Sequence, residues 1–332
     1  MLIGFLHTNP DVASQGGKIR IVASMETFAS IAKFIGGDMV SVDYILPEGA
    51  DPHDYSLTFS DIEKIRNADI LVLANSEFFA LEQQILENAL GKPYIDFKDY
   101  ALYNAAILPI PGIEKNYHGY WIYPDNALAI AHAIADALIS FDPANHEIYE
   151  NNLQEFKERI QKLKHLISET AMKKSLRGFG AVVAVPGAAY IAYAFGMNVV
   201  ASLLKGPGRF VNASELEKIR EIAQSGFIRV ILCPLSLANG KAGEISNELS
   251  RNINVPVVYV RVFSSGGLMD YFALMMYNIG ALSGISNVAR ESLGQNLLML
   301  LYTGIGILFV IAITELVIIY NYTRRAEEEW YE

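Results

Sequence analysis

Residues 60–74 read SDIEKIRNADILVLA, and residues 214–233 read SELEKIREIAQSGFIRVILC. Each stretch begins with charged, helix-forming residues and ends in a run of apolar, partly β-branched residues, which predicts a helix that leads into a buried strand. The serine that opens each stretch has a glutamate three residues later, so we expect an N-cap with a capping box at both places. The sequence therefore predicts that one helix–strand unit occurs twice in the chain.

Strands and helices alternate on both sides of each unit. This alternation predicts parallel sheets covered by helices, that is, an α/β fold with two Rossmann-like lobes. We expect the first lobe over residues 18–124 and the second over residues 176–285. The predicted strands are 19–23, 40–46, 69–74 and 93–97 in the first lobe, and 180–185, 227–233 and 255–260 in the second.

Residues 125–175 form the predicted connection between the lobes. Apolar residues recur there at three- to five-residue spacing, which predicts amphipathic helices. Asp142-Pro143 is a helix-entry signal. A helix over 143–174 would be roughly 48 Å long at the rise of an α-helix. We expect this long, rigid helix to join the two lobes and to limit hinge motion between them.

The composition excludes several classes of function. The chain has 332 residues and a formal net charge of −10. Nucleic-acid binding needs clustered Lys and Arg, which this acidic sequence does not contain, so we expect no nucleic-acid partner. Cys233 is the single cysteine, which excludes an internal disulfide and a CxxC zinc site.

A long apolar segment follows the second lobe. Residues 297–320 contain 24 residues with one charged side chain, which is long enough to cross a membrane as a helix. Arg324 and Arg325 follow directly, so the positive-inside rule puts the C-terminus in the cytoplasm and the lobes outside. Residues 286–296 then form a juxtamembrane leash, and residues 321–332 form a cytoplasmic tail.

The N-terminal segment, residues 1–17, does not read as a signal peptide. It has no basic residue before its apolar run, and that run stops at Leu6. Because the lobes are predicted to be exported, we interpret 1–17 as the remnant of a longer leader or as the product of a late start.

Two histidines stand in loops that follow predicted strands. His53 lies after the strand 40–46, and His118 lies in the long loop 98–123 after the strand 93–97. Ligands of parallel α/β sheets sit at the carboxyl ends of the strands, so these loops can converge on one cleft. Neutral imidazole is a common ligand of divalent metals, which makes the pair a candidate metal site. The alternative for each is a loop histidine that only bonds a backbone carbonyl.

The loop that carries His53 reads GADPHDYSLTFSDI (49–62), and the segment that begins at His118 reads HGYWIYPDNALAIAHAIADAL. These motifs resemble those of the extracytoplasmic solute-binding proteins of zinc and manganese ABC importers, the cluster A-I type, and the resemblance covers roughly residues 19–285. The first motif is the most specific and implies that His53 is a metal ligand. The second motif, with histidine one residue further from tryptophan than usual, implies that His118 is another. The family fold implied is two α/β lobes joined by one long helix, with metal between the lobes.

The second lobe departs from the family pattern. Where the family has its third ligand, histidine or glutamate, this sequence has VPGAAY with Val185 at the aligned position. Where the family has an aspartate as fourth ligand, this sequence has Arg261 or Val262, and Asp270 comes several residues later. A fixed cation beside a divalent metal is unfavourable. The resemblance therefore implies a metal site that is degenerate in its second half.

Three functions remain open. The first is a metal receptor that binds zinc or manganese through His53 and His118, completed by water or by Asp270. The second is the same architecture with a non-metal or chelated anionic solute, paired with Arg261 and packed on aromatic rings that include Tyr120 and Tyr190. The third is a membrane-anchored transferase.

No Walker loop and no clear nucleophile–base pair support the transferase, so we expect a protein that is not an enzyme. The resemblance implies an ABC permease and its ATPase subunit as partners. We expect a single-pass protein of the cell membrane with its binding domain outside.

Overall fold

The computed structural model describes residues 17–47, 50, 53–206, 208–263 and 270–285, and further on positions 301–302, 305, 307–309 and 313. The chain divides into two compact units, 1–285 and 286–332. Both lobes and the helices that connect them belong to the first unit.

The first lobe is a four-stranded parallel sheet with helices packed on it. Its strands lie in the order β2-β1-β3-β4 and are all parallel. Its elements are β1 Ile19–Ala23, α1 Glu26–Gly36, β2 Val40–Tyr44, α2 Phe59–Asn67, β3 Ile70–Val72, α3 Ala80–Asn88, β4 Tyr94–Ile95 and α4 Phe97–Leu102. The helix α4 occupies part of the segment for which the sequence predicts a loop.

Two helices connect the lobes. The alanine-rich α5 spans Pro124–Phe141, with proline in its first turn, where the missing N–H costs no helical hydrogen bond. After a 3-10 turn at Pro143–Asn145, α6 spans His146–Lys173. With 28 residues, α6 is roughly 42 Å long. The predicted long connecting helix is therefore present, and it begins three residues later than predicted.

The second lobe repeats the first. Its elements are β5 Gly180–Val183, α7 Ala189–Ala194, β6 Asn198–Ser202, β7 Leu204–Gly206, β8 Arg209–Phe210, α8 Ala213–Gln224, β9 Ile228–Pro234, α9 Lys241–Ile253, β10 Val257–Val260 and α10 Tyr271–Ser283. The parallel strands lie in the order β10-β9-β5-β6, and β7 and β8 form a separate antiparallel hairpin. The sheets of both lobes are thus parallel, as the alternation of strands and helices predicts, and the sheet of the second lobe has a fourth strand, β6, that the sequence does not predict.

The helices that open the two repeated units are capped two residues earlier than the sequence predicts. Thr58 caps α2 and Asn212 caps α8, each in a capping box with the residue three positions later, Asp61 and Glu215. The predicted serine caps are therefore wrong at both places, because the serines already lie inside the first turn.

One continuous apolar core runs through both lobes and the connecting helices. It includes Phe28 of α1, Phe156 of α6, Tyr190 of α7 and Tyr271 of α10, all fully buried. The hydroxyl of Tyr271 donates to the carbonyl of Ile122 at 2.9 Å. The lobes are therefore packed against each other and against α6 over a shared interior.

Of the predicted transmembrane helix, 297–320, the structure describes only positions 301–302, 305, 307–309 and 313. The leader remnant, the leash and the cytoplasmic tail lie outside the described residues, apart from residue 17. Among the described residues, no single helix is long and apolar enough to cross a membrane. The helix α5 and the segment 143–173, taken as a pair, are long and apolar enough, but the pair is bent by 119° where the two meet.

Candidate metal site

His53 lies in the loop between β2 and α2, beyond the carboxyl end of β2. Its side chain is exposed. The loop ends at Thr58, whose hydroxyl accepts the N–H of Asp61 at 3.2 Å while the Asp61 carboxylate accepts the N–H of Thr58 at 2.8 Å. The hydroxyl of Tyr55 also donates to Asp61, at 2.8 Å. These bonds fix the part of the loop that begins two residues after His53.

His118 lies in the segment between α4 and α5, and it is partly buried. Its backbone N–H donates to the side-chain oxygen of Asn116 at 3.2 Å. Gly119 follows with φ of 77°, a left-handed conformation that glycine adopts without strain. A 3-10 turn at Tyr120–Ile122 then leads into α5.

The structure brings the two imidazoles together. The ring centres of His53 and His118 are 5.6 Å apart, with 50° between the ring planes. The ring of Phe79 lies 6.4 Å from His53 and 6.0 Å from His118, and the ring of Phe78 lies 5.2 Å from His118. Both histidines thus lie beside the ring of Phe79, and His118 also lies beside the ring of Phe78.

Two buried carboxylates hold the loop that carries these phenylalanines. Glu82 accepts the backbone N–H groups of Ala74 and Asn75, both at 2.6 Å. Asp96 accepts the N–H of Ser76 at 3.1 Å and also its hydroxyl. Complete burial raises the pKa of Glu82 to about 7, with a smaller contribution from the negative charge of Asp96 and opposition from its hydrogen bonds.

Asn116 ties the His118 segment to the second lobe. Its side-chain N–H donates to the carbonyl of Pro186 at 2.9 Å, and its own carbonyl accepts the hydroxyl of Tyr190 at 2.6 Å. The Tyr190 hydroxyl in turn accepts the N–H of Leu108 at 3.0 Å. Because Asn116 is fully buried, these bonds are shielded from water and fix the position of His118 relative to the turn after β5.

The second lobe meets His118 with small and apolar groups. A Cβ atom on Gly119 would lie 2.6 Å from the carbonyl oxygen of Gly187, so the two backbones are in direct contact. A Cβ atom on Gly187 would lie 3.1 Å from Val262 and 3.7 Å from the carbonyl oxygen of His118. Val262 is buried and Val185 is partly buried. That these valines stand in place of two metal ligands stays a prediction.

Two of the other candidate contacts have local roles in the structure. The guanidinium of Arg261 lies 4.8 Å from the centre of the Tyr277 ring. The carboxylate of Asp270 accepts the N–H of Phe272 at 2.9 Å and caps α10.

Tyr120 and Tyr190 require a correction, because both are fully buried. The Tyr120 hydroxyl donates to the carbonyl of Ala74 at 2.7 Å, and the Tyr190 hydroxyl bonds the His118 segment. Neither ring offers a surface on which a solute could pack. Both hydroxyls instead bond backbone carbonyls, those of Ala74 and Asn116.

Within the described ranges, no group of three or more His, Cys, Asp or Glu side chains is arranged to hold a metal ion. A cavity of about 170 Å³ lies elsewhere, at the edge strand β4, between Tyr94, Leu102, Tyr103, Asp136 and Phe141. The two imidazoles do not line it. The described donors at the candidate site are therefore the histidine pair.

Comparison with known families agrees with this arrangement of lobes and loops. Residues 21–284 match the family described as ZnuA, the periplasmic zinc-uptake complex component A. The match includes both lobes and the connecting helices. This chain belongs to the ZnuA family. Members of the ZnuA family are solute-binding proteins of transporters and not enzymes, as the sequence predicts.

Curated relatives of this ZnuA-family protein handle several metals. The iron-binding protein YfeA of Yersinia pestis is 26% identical over 275 residues, which are 80% of this chain and 86% of YfeA. The high-affinity zinc uptake system protein ZnuA of Bacillus subtilis is 25% identical over 263 residues, 75% of this chain and 81% of that protein. The manganese ABC transporter substrate-binding lipoprotein PsaA of Streptococcus anginosus is 31% identical over 160 residues, 46% of this chain and 51% of PsaA.

Solved structures confirm the two-lobed α/β fold. A crystal structure of ZnuA superposes with a TM-score of 0.65 at 21% identity, covering 81% of this chain and all of that one (100%). Zn(II)-bound AdcA from Streptococcus pneumoniae superposes with a TM-score of 0.62 at 22% identity, covering 82% of this chain and 58% of AdcA. At this level of identity the likeness shows the fold alone.

Proposed function

We propose that this protein is the extracytoplasmic, membrane-anchored solute-binding protein of an ABC importer. In this proposal it binds zinc or manganese between its lobes and delivers the ion to a permease that works with an ATPase subunit. His53 and His118 are the protein's metal ligands. Homologues whose names specify zinc, manganese or iron support metal as the solute class.

The observation that carries the proposal is the spacing of the two imidazoles. Two rings that bind one zinc ion at about 2.1 Å have centres no more than roughly 6.5 Å apart. The observed separation of 5.6 Å lies inside that limit. The separation of the rings therefore permits one ion to contact both imidazoles.

Two protein ligands leave coordination positions open. Tetrahedral zinc takes four ligands, so two further ligands come from water or from a carboxylate such as Asp270. Such a site holds the ion less tightly than a closed four-ligand site, and it can release the ion readily to a permease.

The proposed anchor supports delivery. A transmembrane helix over 297–320, joined by a leash over 286–296 to lobes at 18–124 and 176–285, would keep the receptor beside its permease. Tethering replaces a bimolecular encounter with a high effective concentration, so that a weak docking surface suffices. Relatives named as lipoproteins support attachment to a membrane.

Metal content measured on the detergent-solubilised full chain tests the proposal. After dialysis against zinc or manganese, the protein should retain about one ion per chain, and His53→Ala and His118→Ala should each lose it. His165→Ala is the matched control, since His165 lies exposed on α6 beside Glu169, and it should retain the ion. Stoichiometric metal in both His53→Ala and His118→Ala would refute the assigned site.

A further inference from the structure

Rings other than the predicted tyrosines lie beside the candidate site and are partly exposed. Phe78 is 39% exposed, and its ring lies 5.2 Å from His118. Tyr117 lies 4.9 Å from Phe78 and 5.5 Å from Phe97, and Tyr117 and Phe97 are both partly buried. We call the contiguous rings of Phe78, Tyr117 and Phe97 the aromatic ridge.

The ridge is a costly surface to leave in water. Exposed apolar rings that adjoin one another beside polar binding groups are typical of ligand sites, which combine a mainly apolar wall with a few polar groups. A hydrated ion gains nothing from such a wall. A flat conjugated molecule gains stacking energy from it in addition to apolar burial.

The ridge is also held in place. Glu82 and Asp96 fix the loop before Phe78 through backbone hydrogen bonds to residues 74–76. Tyr117 lies between Asn116 and His118, whose segment is bonded to the second lobe. The N–H of Phe97 donates to Asp96, which caps α4. A fixed ring surface loses little conformational entropy when a ligand stacks on it.

From these observations, and resting on the proposed metal site, we infer that the solute is a metal ion already bound to a small, planar aromatic chelator. The chelator fills the coordination positions that His53 and His118 leave open, and its ring packs against the aromatic ridge. Gly187 and Val262, which lie beside the His118 backbone in the second lobe, add no negative charge that would repel an anionic donor group. The complex is a mixed-ligand one, with two imidazoles and one bidentate chelator on a single ion.

Zinc affinity measured with two matched chelators tests this inference. Picolinate and glycinate both bind zinc through one nitrogen and one carboxylate oxygen, but only picolinate has an aromatic ring. Zinc binding to the solubilised full chain is measured by calorimetry with zinc alone, with an equal amount of picolinate, and with glycinate. We expect a ternary complex with picolinate that is about five- to tenfold tighter than the one with glycinate.

Variants connect the preference to the ridge. Phe78→Ala should reduce the ratio of picolinate to glycinate affinity to about one. Phe59→Ala is the matched control, since Phe59 is 76% exposed on α2, and it should leave the ratio unchanged. The ratio is the readout because it cancels any effect of the substitution on the position of His118.

The outcomes separate this inference from the function on which it rests. Zinc that binds alone but is stripped by picolinate, or equal affinity with both chelators, would overturn the inference and leave the metal receptor intact. Zinc that binds neither alone nor with a chelator would overturn the metal receptor itself. A picolinate preference that Phe78→Ala abolishes would support the inference.

Discussion

Glu82 is the residue whose chemistry the sequence discloses least. In ALEQQIL it reads as an ordinary solvated glutamate of an amphipathic helix. The structure buries it completely against two backbone N–H groups of the loop after β3, and only the chain fold brings those groups to it. The burial of Asn116 is equally hard to predict. In a Pro- and Gly-rich loop, the neighbouring sequence does not distinguish a buried asparagine from a solvated turn residue.

We expect Glu82 to make stability depend on pH. Its pKa is about 7 in the folded protein and near the ordinary value of 4.5 in the unfolded chain. Between these values the folded state binds one more proton, so the free energy of unfolding falls as pH rises from about 4.5 to about 7. Burial, which disfavours the charged form, is the cause.

Urea denaturation of the wild type and Glu82→Gln at pH 5, 6 and 7 measures this effect. Glutamine accepts through one oxygen, so one buried N–H loses its partner, at a cost of about 1–3 kcal/mol at pH 5. By pH 7 the free energy of unfolding of the wild type should have fallen by about 2–3 kcal/mol relative to that of Glu82→Gln. A difference in free energy of unfolding that stays constant with pH would contradict the raised pKa of Glu82. The control is Glu63→Gln, at an exposed site on α2.

Asn116 is expected to position His118. Asn116→Ala removes the bond to Pro186 and the acceptor of the His118 N–H, so it should lower the free energy of unfolding by about 1–3 kcal/mol and weaken zinc binding. Asn198→Ala is the matched control, because Asn198 also donates to a backbone carbonyl but is exposed. Zinc affinity that is equal in the two variants, measured by calorimetry, would show that Asn116 has no positioning role.

The sequence predicts which helices and strands exist, and in what order, better than it predicts the residues at which they begin and end. The repeated helix–strand units are visible because their charged and apolar halves differ sharply. The caps lie two residues earlier, at Thr58 and Asn212, because T-x-x-D and N-x-x-E compete with the overlapping serine patterns. The strand β6, Asn198–Ser202, is missed because it runs straight into a glycine-containing hairpin.

The contact between the turn after β5 and the His118 segment can be tested with glycine variants. Gly119 and Gly112 both have positive φ, 77° and 83°, but of the two only Gly119 faces another backbone, that of Gly187. Alanine costs about 1–2 kcal/mol at either position for the left-handed conformation. Gly119→Ala should cost about 1–3 kcal/mol more, as measured by urea denaturation. Equal losses would show that the two segments do not touch.

At the scale of the whole first unit, 1–285, we expect the shared core and α6 to resist hinge motion between the lobes. Arg159 of α6 lies over the rings of Phe34 and Phe272, at 5.0 Å and 5.7 Å, and so joins α1 to α10. The sequence predicts the long helix from its spacing. It cannot predict which distant residues meet across the lobes, because those contacts depend on how both sheets pack.

We therefore expect zinc binding to leave the arrangement of the two lobes nearly unchanged. Small-angle X-ray scattering of the solubilised protein, with detergent contrast-matched by an inert density agent, should give the same radius of gyration with and without zinc within about 0.5 Å, since the lobes share one packed interior. A decrease of several ångströms on zinc addition would indicate domain closure and would contradict a rigid connection.

The proposed function depends above all on one metal ion contacting both His53 and His118. X-ray absorption at the zinc edge of the zinc-loaded full chain observes that contact itself, because imidazole rings give a characteristic multiple-scattering pattern. We predict two imidazoles per zinc at about 2.0–2.1 Å, and one in His53→Ala if any zinc remains. A spectrum with no imidazole, or with a single one in the wild type, would show that the two histidines do not share an ion.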